Sequence, residues 1–166
     1  GLFKKAKRMK KVNIFQNVND KDKLNFYYPN NDIFVFPTLE ENFGFTPIEA
    51  MGFGLPVVAT DFKTALPEIV EDGKSGILIK YRHTDFAKCI LNGEERYRSR
   101  NIKYEIPKRL HKYLVKELVE KLSLLIEDFK LRKKMGLRGL KIARTKFSFD
   151  RRNKLLKRVY EEALRF

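Results

Sequence analysis

Three short apolar runs constrain the fold more than any other feature of this sequence: Asp32-Ile33-Phe34-Val35-Phe36-Pro37, Pro56-Val57-Val58-Ala59-Thr60 and Gly76-Ile77-Leu78-Ile79. Each has the length of a strand and an uninterrupted apolar stretch, the pattern of strands buried on both faces of a parallel sheet. Between the first two lies Thr46-Pro47-Ile48-Glu49-Ala50-Met51. It reads as a helix start, with Thr46 as N-cap, Pro47 at the first helical position and Glu49 closing a capping box. Gly54 and Pro56 supply the stop, and Gly52 and Gly54 read as helix-stop and packing residues. A second short helix, Pro67-Glu68-Ile69-Val70, and the turn Asp72-Gly73-Lys74-Ser75 lead into the third run. Strand-helix alternation of this kind predicts an α/β fold: a Rossmann-like parallel sheet with flanking helices and right-handed crossovers. Ligands of such sheets sit at the carboxyl ends of the strands.

The flanking segments are less regular. Val12-Asn13-Ile14-Phe15-Gln16-Asn17-Val18 alternates at period two and predicts a further strand, followed by a short helical stretch toward Tyr27-Tyr28 that Pro29-Asn30-Asn31 breaks. Residues 82–113 are polar and basic without a steady period and read as an insertion or loop. In the C-terminal part Leu114, Leu118, Leu122, Leu125 and Phe129 form one helical stripe. Leu155, Leu156, Val159, Tyr160 and Ala163 form another after a start at Ser148-Phe149-Asp150. The expected organisation is one domain over 1–166, with a basic tail at 1–11, a strand and helix core at 12–80, and C-terminal helices at 114–166.

Composition narrows the function classes. The 166 residues carry a formal charge of +15 and are 43 % hydrophobic, which excludes a disordered chain, and no apolar run approaches the roughly 18–20 residues of a membrane span. One cysteine, Cys89, excludes an internal disulfide, fits a reducing compartment and, with only His83 and His111 beside it, offers no zinc spacing. None of these three is assigned a role. With no initiator Met and no signal-like segment, the chain is expected to begin inside a longer product and to be cytoplasmic. The charge is uneven: +6 over 1–11, −6 over 12–79, +6 over 80–113, −2 over 114–128, +12 over 129–158 and −1 over 159–166. The most patterned stretch is therefore acidic, and the basic residues lie at its flanks.

The stretch Pro37-Thr38-Leu39-Glu40-Glu41-Asn42-Phe43-Gly44-Phe45-Thr46-Pro47-Ile48-Glu49-Ala50-Met51-Gly52-Phe53-Gly54-Leu55-Pro56-Val57-Val58-Ala59-Thr60 closely resembles the donor-site block of retaining GT-B fold glycosyltransferases of the family 4 (group 1) type. The lead-in Pro-Thr, the Glu-x7-Glu pair Glu41 and Glu49, Phe-Gly, Glu-Ala-Met and Gly-x-Pro-Val-Val are all in place. A bare Glu pair at that spacing is expected about once by chance in such a composition, so the signal is the frame around it. Leu66-Pro67-Glu68-Ile69-Val70, Asp72-Gly73, Lys134-Met135-Gly136 and Lys146-Phe147-Ser148 extend the resemblance toward the C-terminus.

The resemblance implies the C-terminal, nucleotide-sugar-binding half of a GT-B enzyme that transfers a hexose with retention to an unidentified glycan or lipid acceptor. It implies that Glu49 accepts hydrogen bonds from the donor ribose and that Glu41, the implied catalytic residue, contacts a hydroxyl of the transferred hexose. Backbone amides around Phe43, Gly44, Phe45 and Thr46, ahead of Pro47, would cradle sugar and diphosphate. Independently, Gly44 permits close backbone approach and the positive end of the following helix favours a diphosphate. A metal is then unnecessary, no cofactor is expected, and the donor is a UDP- or GDP-sugar.

Other readings of the same residues stay open. Glu49 is also a ready capping-box glutamate, Glu41 a solvated loop carboxylate, Phe43 and Phe45 packing residues, and Glu68 a first-turn helix acid. Two departures matter: the family's first two strands, with their diphosphate-binding Arg and Lys, are not found ahead of Val12, and Phe62-Lys63-Thr64-Ala65 stands where a Gly-Gly loop is frequent. Activity is thus expected only with an acceptor-binding domain or partner chain. The alternatives are an inactive, degenerate fragment, or a basic module for anionic membranes or nucleic acid. Nucleic acid is disfavoured because no base-reading motif is present. The basic flanks suit a diphosphate donor, peripheral contact at the inner membrane face, or solubility.

Overall fold

A computed structural model describes residues 11–38, 41–61, 65–80 and 108–165, with side chains from residue 110 onward in the last stretch. The expected basic tail through residue 10, residues 82–107 of the expected insertion, Phe62-Lys63-Thr64, His83 and Cys89 lie outside the described residues. The chain divides into two compact units, residues 1–31 and 32–166.

In the first unit, residues 12–18 form no strand, against the expectation from their alternation. Period-two patterning specifies which face a side chain takes but supplies no ladder partner, and Asn17 sits at φ 53°, outside the extended region. Asn19 caps the short helix α1 (Asp20–Asp22), its Oδ1 accepting from the Asp22 amide at 2.8 Å. The chain continues as a π-helical turn, Lys23–Tyr27. Asn30 closes that turn by donating to the Phe26 carbonyl at 2.7 Å, and Phe15 packs edge-on against Tyr27 at 5.1 Å between ring centres.

The second unit holds the predicted parallel sheet. Strands β1 (Phe34–Phe36), β2 (Val57–Asp61) and β3 (Gly76–Lys80) alternate with helices α2 (Phe45–Gly52) and α3 (Leu66–Ile69). The strand order is β1-β2-β3, all parallel, with Phe34 opposite Val57 and Val57 opposite Gly76. Each of β2 and β3 serves two cores through its alternating side chains. Val57, Ala59 and Leu78 face Met51, Leu66, Ile69 and Ile142, whereas Val58, Ile77 and Ile79 face Leu110, Leu114, Leu125 and Met135. Burial of each such large side chain contributes about 1.5–3 kcal/mol. The reading of runs buried on both faces holds for β2 and β3. It fails for β1, which lies at the edge of the described sheet with Val35 36 % exposed.

Three helices complete the unit: α4 (Lys108–Glu127), α5 (Phe129–Lys146) and α6 (Phe149–Ala163). Helix α4 begins at Lys108, inside the segment expected to be loop, and Leu114, Leu118, Leu122 and Leu125 lie on its core side. Phe129 is not part of that stripe. Asp128 caps α5 by accepting from the Leu131 amide at 2.8 Å, so Phe129 opens the next helix and is exposed. The Arg132 guanidinium reaches back to the Leu125 and Ile126 carbonyls at 2.6 and 3.0 Å, satisfying acceptors that the end of α4 cannot pair internally. Helix α6 starts at the expected place, with Ser148 Oγ accepting from the Arg151 amide, yet none of its residues is buried. No helix among the described residues is long and apolar enough to cross a membrane.

Candidate functional site

The loop from β1 to α2 carries the Glu-x7-Glu frame. Thr60, buried at the end of β2, donates its hydroxyl to the Thr38 carbonyl and ties the loop's first residues to the sheet. Thr60 was readable in outline as the polar member of a buried apolar run, which must find an acceptor. Its partner was not.

At the far end of the loop, Gly44 is the N-cap of α2 with φ 87° and ψ 54°, a left-handed conformation that suits glycine. It is also enclosed: a Cβ there would meet Leu66 Cδ2 at 3.2 Å and Ile69 Cδ1 at 3.3 Å, so α3 presses on the loop from below. The expected capping box is therefore corrected. The helix opens at Phe45, Thr46 and Pro47 are its second and third residues, and Glu49 falls in the second turn. Thr46, already helical, cannot be the cap, and α2 has no side-chain cap bond.

Glu41 provides the anchoring instead. Its Oε1 accepts from the Phe43 amide at 3.3 Å and the Gly44 amide at 3.2 Å. The carboxylate is thus engaged with the loop's own backbone rather than merely solvated, and it lies against the positive end of α2. Gly44 and Pro47 are buried, Glu41, Thr46 and Glu49 half-buried, and Phe43 and Phe45 exposed. The two rings lie 4.8 Å apart, with Phe43 also edge-on to Phe147 at 6.2 Å, so these phenylalanines form an aromatic rim rather than core. The structure therefore brings Glu41, Phe43, Gly44, Phe45, Thr46 and Pro47 together at one helix terminus, with Glu49 one turn further along the same helix.

Several supports were not legible in the sequence. Lys146 donates its ammonium to the Glu68 carbonyl, holding the end of α5 against α3. Glu68 itself has an exposed side chain in the first turn of α3, as its helix-acid reading expects. Arg138 of α5 forms a two-pronged pair with Glu71, both bonds 2.8 Å, just ahead of the turn into β3. In that turn Asp72 accepts from the Leu78 amide at 2.9 Å and pairs with Lys80 at 3.0 Å. Partial burial pushes the Asp72 carboxyl up, but the Leu78 amide, the Lys80 ammonium and the Gly73 amide together outweigh it and hold the carboxyl below its ordinary value. The Asp72 hydrogen bond and charge raise Lys80 correspondingly. An open, largely apolar hollow of about 440 Å³ is lined by Ile48 and Gly52 of α2 and by Ala143, Arg144, Ser148, Phe149 and Asp150. No cluster of metal-ligating side chains occurs among the described residues.

Residues 2–93 match the family model described as Glycosyl transferases group 1. A solved structure, the C-terminal domain of the group 1 family glycosyl transferase LpcC from Francisella tularensis, superimposes with a TM-score of 0.60 at 26 % identity, covering 89 % of this chain and 60 % of that one. The α/β sheet with flanking helices is accordingly that of a GT-B-type C-terminal domain. The chain belongs to the group 1 glycosyl transferases.

Among proteins, the capsular polysaccharide biosynthesis glycosyltransferase CapM of Staphylococcus aureus is 30 % identical over 122 residues, 74 % of this chain and 24 % of CapM. The lipopolysaccharide core biosynthesis mannosyltransferase LpsB of Rhizobium meliloti is 47 % identical over 55 residues, 32 % of this chain and 15 % of LpsB. A sucrose synthase of Acidithiobacillus caldus is 60 % identical over 47 residues, 28 % of this chain and 6 % of that protein. The chain thus spans a quarter or less of the length of each of these relatives.

Proposed function

We propose that this chain provides the nucleotide-sugar-binding surface of a glycosyltransferase that moves a hexose from a UDP- or GDP-sugar to a glycan or lipid acceptor with retention at the anomeric carbon. The observation that carries the reading is the Glu41 carboxylate seated on the Phe43 and Gly44 amides at the N-terminus of α2. This arrangement holds Glu41 at the mouth of a helix whose first amides, those of Phe45 and Thr46, have no carbonyl acceptor one turn back within the helix. Such a terminus favours the negative charge that develops on a departing diphosphate.

In this reading Glu41 takes a hydroxyl of the transferred hexose and Glu49 the ribose hydroxyls. The buried Gly44 lets sugar and diphosphate approach the backbone. The two carboxylates position the donor and do not serve as the acid and base of a hydrolase. Donor and protein suffice at this surface without a metal, and acceptor recognition belongs to an N-terminal domain or partner, without which the chain is inactive. Relatives named for capsular polysaccharide and lipopolysaccharide core synthesis support a glycan or lipid-linked acceptor.

The test is a thermal-shift panel of UDP-, GDP- and ADP-sugars. At a donor concentration of about 100 times Kd, stabilisation of about 2.7 kcal/mol is expected for the correct nucleotide and is lost in Glu49→Ala. No stabilisation by any donor, or equal stabilisation of the variant, contradicts the proposal.

A further inference from the structure

The Phe43 ring, in the Glu41 loop, rests edge-on against Phe147, the residue that follows α5, with planes at 84°. Such a contact is directional, because the positive edge of one ring meets the negative face of the other. Phe147 is itself held in place. Its amide closes α5 on the Ala143 carbonyl at 3.3 Å, and its half-buried ring packs against the cluster that contains Met51, Leu66 and Ile69. The neighbouring Lys146 carries its ammonium 5.2 Å from the centre of that ring while donating to the Glu68 carbonyl of α3.

The bonds within the loop and the contacts beneath it do different things. Both Glu41 bonds, from the Phe43 and Gly44 amides, join the loop to itself and so set its shape. They do not fix where that shape sits over the rest of the fold. Leu66 and Ile69 of α3 lie directly under Gly44, and Phe147 lies against Phe43. The corner between α5 and α6 therefore reaches both amides, one through α3 and the other through the Phe147 ring.

We propose that Phe147 is a positioning residue for this loop: acting through the Phe43 ring, it holds the Phe43 and Gly44 amides, and with them Glu41, in place at the N-terminus of α2. The consequence for donor binding rests on the reading of the loop as the nucleotide-sugar-binding surface. A residue that only filled the cluster would act on the whole unit, whereas Phe147 acts first on the two amides and on what Glu41 can reach.

The experiment is a double-mutant cycle on the full chain with Phe147→Leu, Phe43→Leu and the double variant, read by amide hydrogen exchange and by titration with UDP-glucose and GDP-mannose. Each single variant is expected to speed exchange at Gly44 about tenfold relative to Val58 and to weaken the bound donor about tenfold, with the double variant no worse than the stronger single one. Equal acceleration at Gly44 and Val58 in Phe147→Leu overturns the proposal, since it marks a general loss of stability. Additive losses in the double variant overturn it too, because Phe147 then does not act through Phe43. Faster Gly44 exchange with an unchanged donor Kd removes the role in binding. If the parent binds neither donor, the donor reading fails by itself, and the exchange rates alone decide whether Phe147 places the loop. Phe43 is exposed, so Phe43→Leu tests the same contact should Phe147→Leu not fold, and exchange at the parent rate in that variant overturns the proposal.

Discussion

Gly136 of α5 packs directly on Gly54, so closely that a Cβ on Gly136 would fall 2.0 Å from the Gly54 carbonyl oxygen. The obstacle is backbone, which cannot rotate aside, and Gly54 follows the end of α2. Gly136→Ala should therefore destabilise the fold by about 3 kcal/mol or more, read from the midpoint of denaturant unfolding. Gly139→Ala, one turn along, meets Met51 Cγ at 3.3 Å as its tightest neighbour, with Met51 Cβ and the Ser75 carbonyl oxygen at an ordinary 3.6 Å. That variant should stay within about 1 kcal/mol of the parent, because alanine's better helix propensity offsets the tight contact. Equal effects at the two positions would contradict this assignment.

Glu41→Ala removes the acceptor of the Phe43 and Gly44 amides. A loss of about 1 kcal/mol in stability is expected, smaller than for a buried charged hydrogen bond because the loop is partly exposed. Hydrogen exchange of the Gly44 amide should accelerate. Glu41→Gln retains an acceptor oxygen and should exchange at a rate between those of Glu41→Ala and the parent.

Asp72 gives the fold an acid-side dependence. Its folded carboxyl lies below the unfolded value of about 3.9, so its contribution is present above that pH and is lost as pH falls through the folded value. Unfolding free energies of the parent and of Asp72→Asn should differ at pH 7 and converge as the pH falls below the unfolded value of about 3.9. A constant gap across that range would place the effect in packing rather than in charge.

Thr60→Val keeps the shape of a buried β2 residue and removes its hydroxyl bond to the Thr38 carbonyl. The expected cost is about 1–2 kcal/mol in a denaturant titration. Weaker donor binding should accompany it, because the start of the Glu41 loop loses its tie to the sheet.

Core and surface leucines should separate cleanly. Leu125 is fully buried in the cluster with Val58 and Met135, and Leu125→Ala should cost about 2–5 kcal/mol. Leu156 of α6 is exposed, and Leu156→Ala should stay within about 0.5 kcal/mol of the parent.

The parallel sheet was legible because the runs at 57–60 and 76–79 are buried on both sides, leaving apolar residues as the stable choice at every position. Residues 12–18 carry an equally clean pattern and form no strand, since pairing depends on a neighbour that local alternation cannot supply. The Thr46-x-x-Glu49 frame pointed to a capping box, but Gly44 starts the helix earlier through its backbone conformation, which leaves no side-chain signature. That Glu41, Gly44 and Glu49 gather around the start of one helix was legible from the frame they stand in. The Glu41 bond to its own loop, the Arg138–Glu71 pair and the Gly136–Gly54 approach were not, because each depends on geometry created by the fold. Helix α6 was correctly placed at its start, and its exposed stripe shows that helical periodicity specifies a face without specifying what covers it.

The alternating sides of β2 have a further consequence for how the second unit comes apart. Val57 and Ala59 belong to one cluster and Val58 to the other, so the same five-residue strand is a shared wall. Displacing β2 exposes both clusters at once. Residues 57–61 should therefore exchange their amide hydrogens only through complete unfolding of the unit, and its melting should be a single transition despite the layers on either side of the sheet.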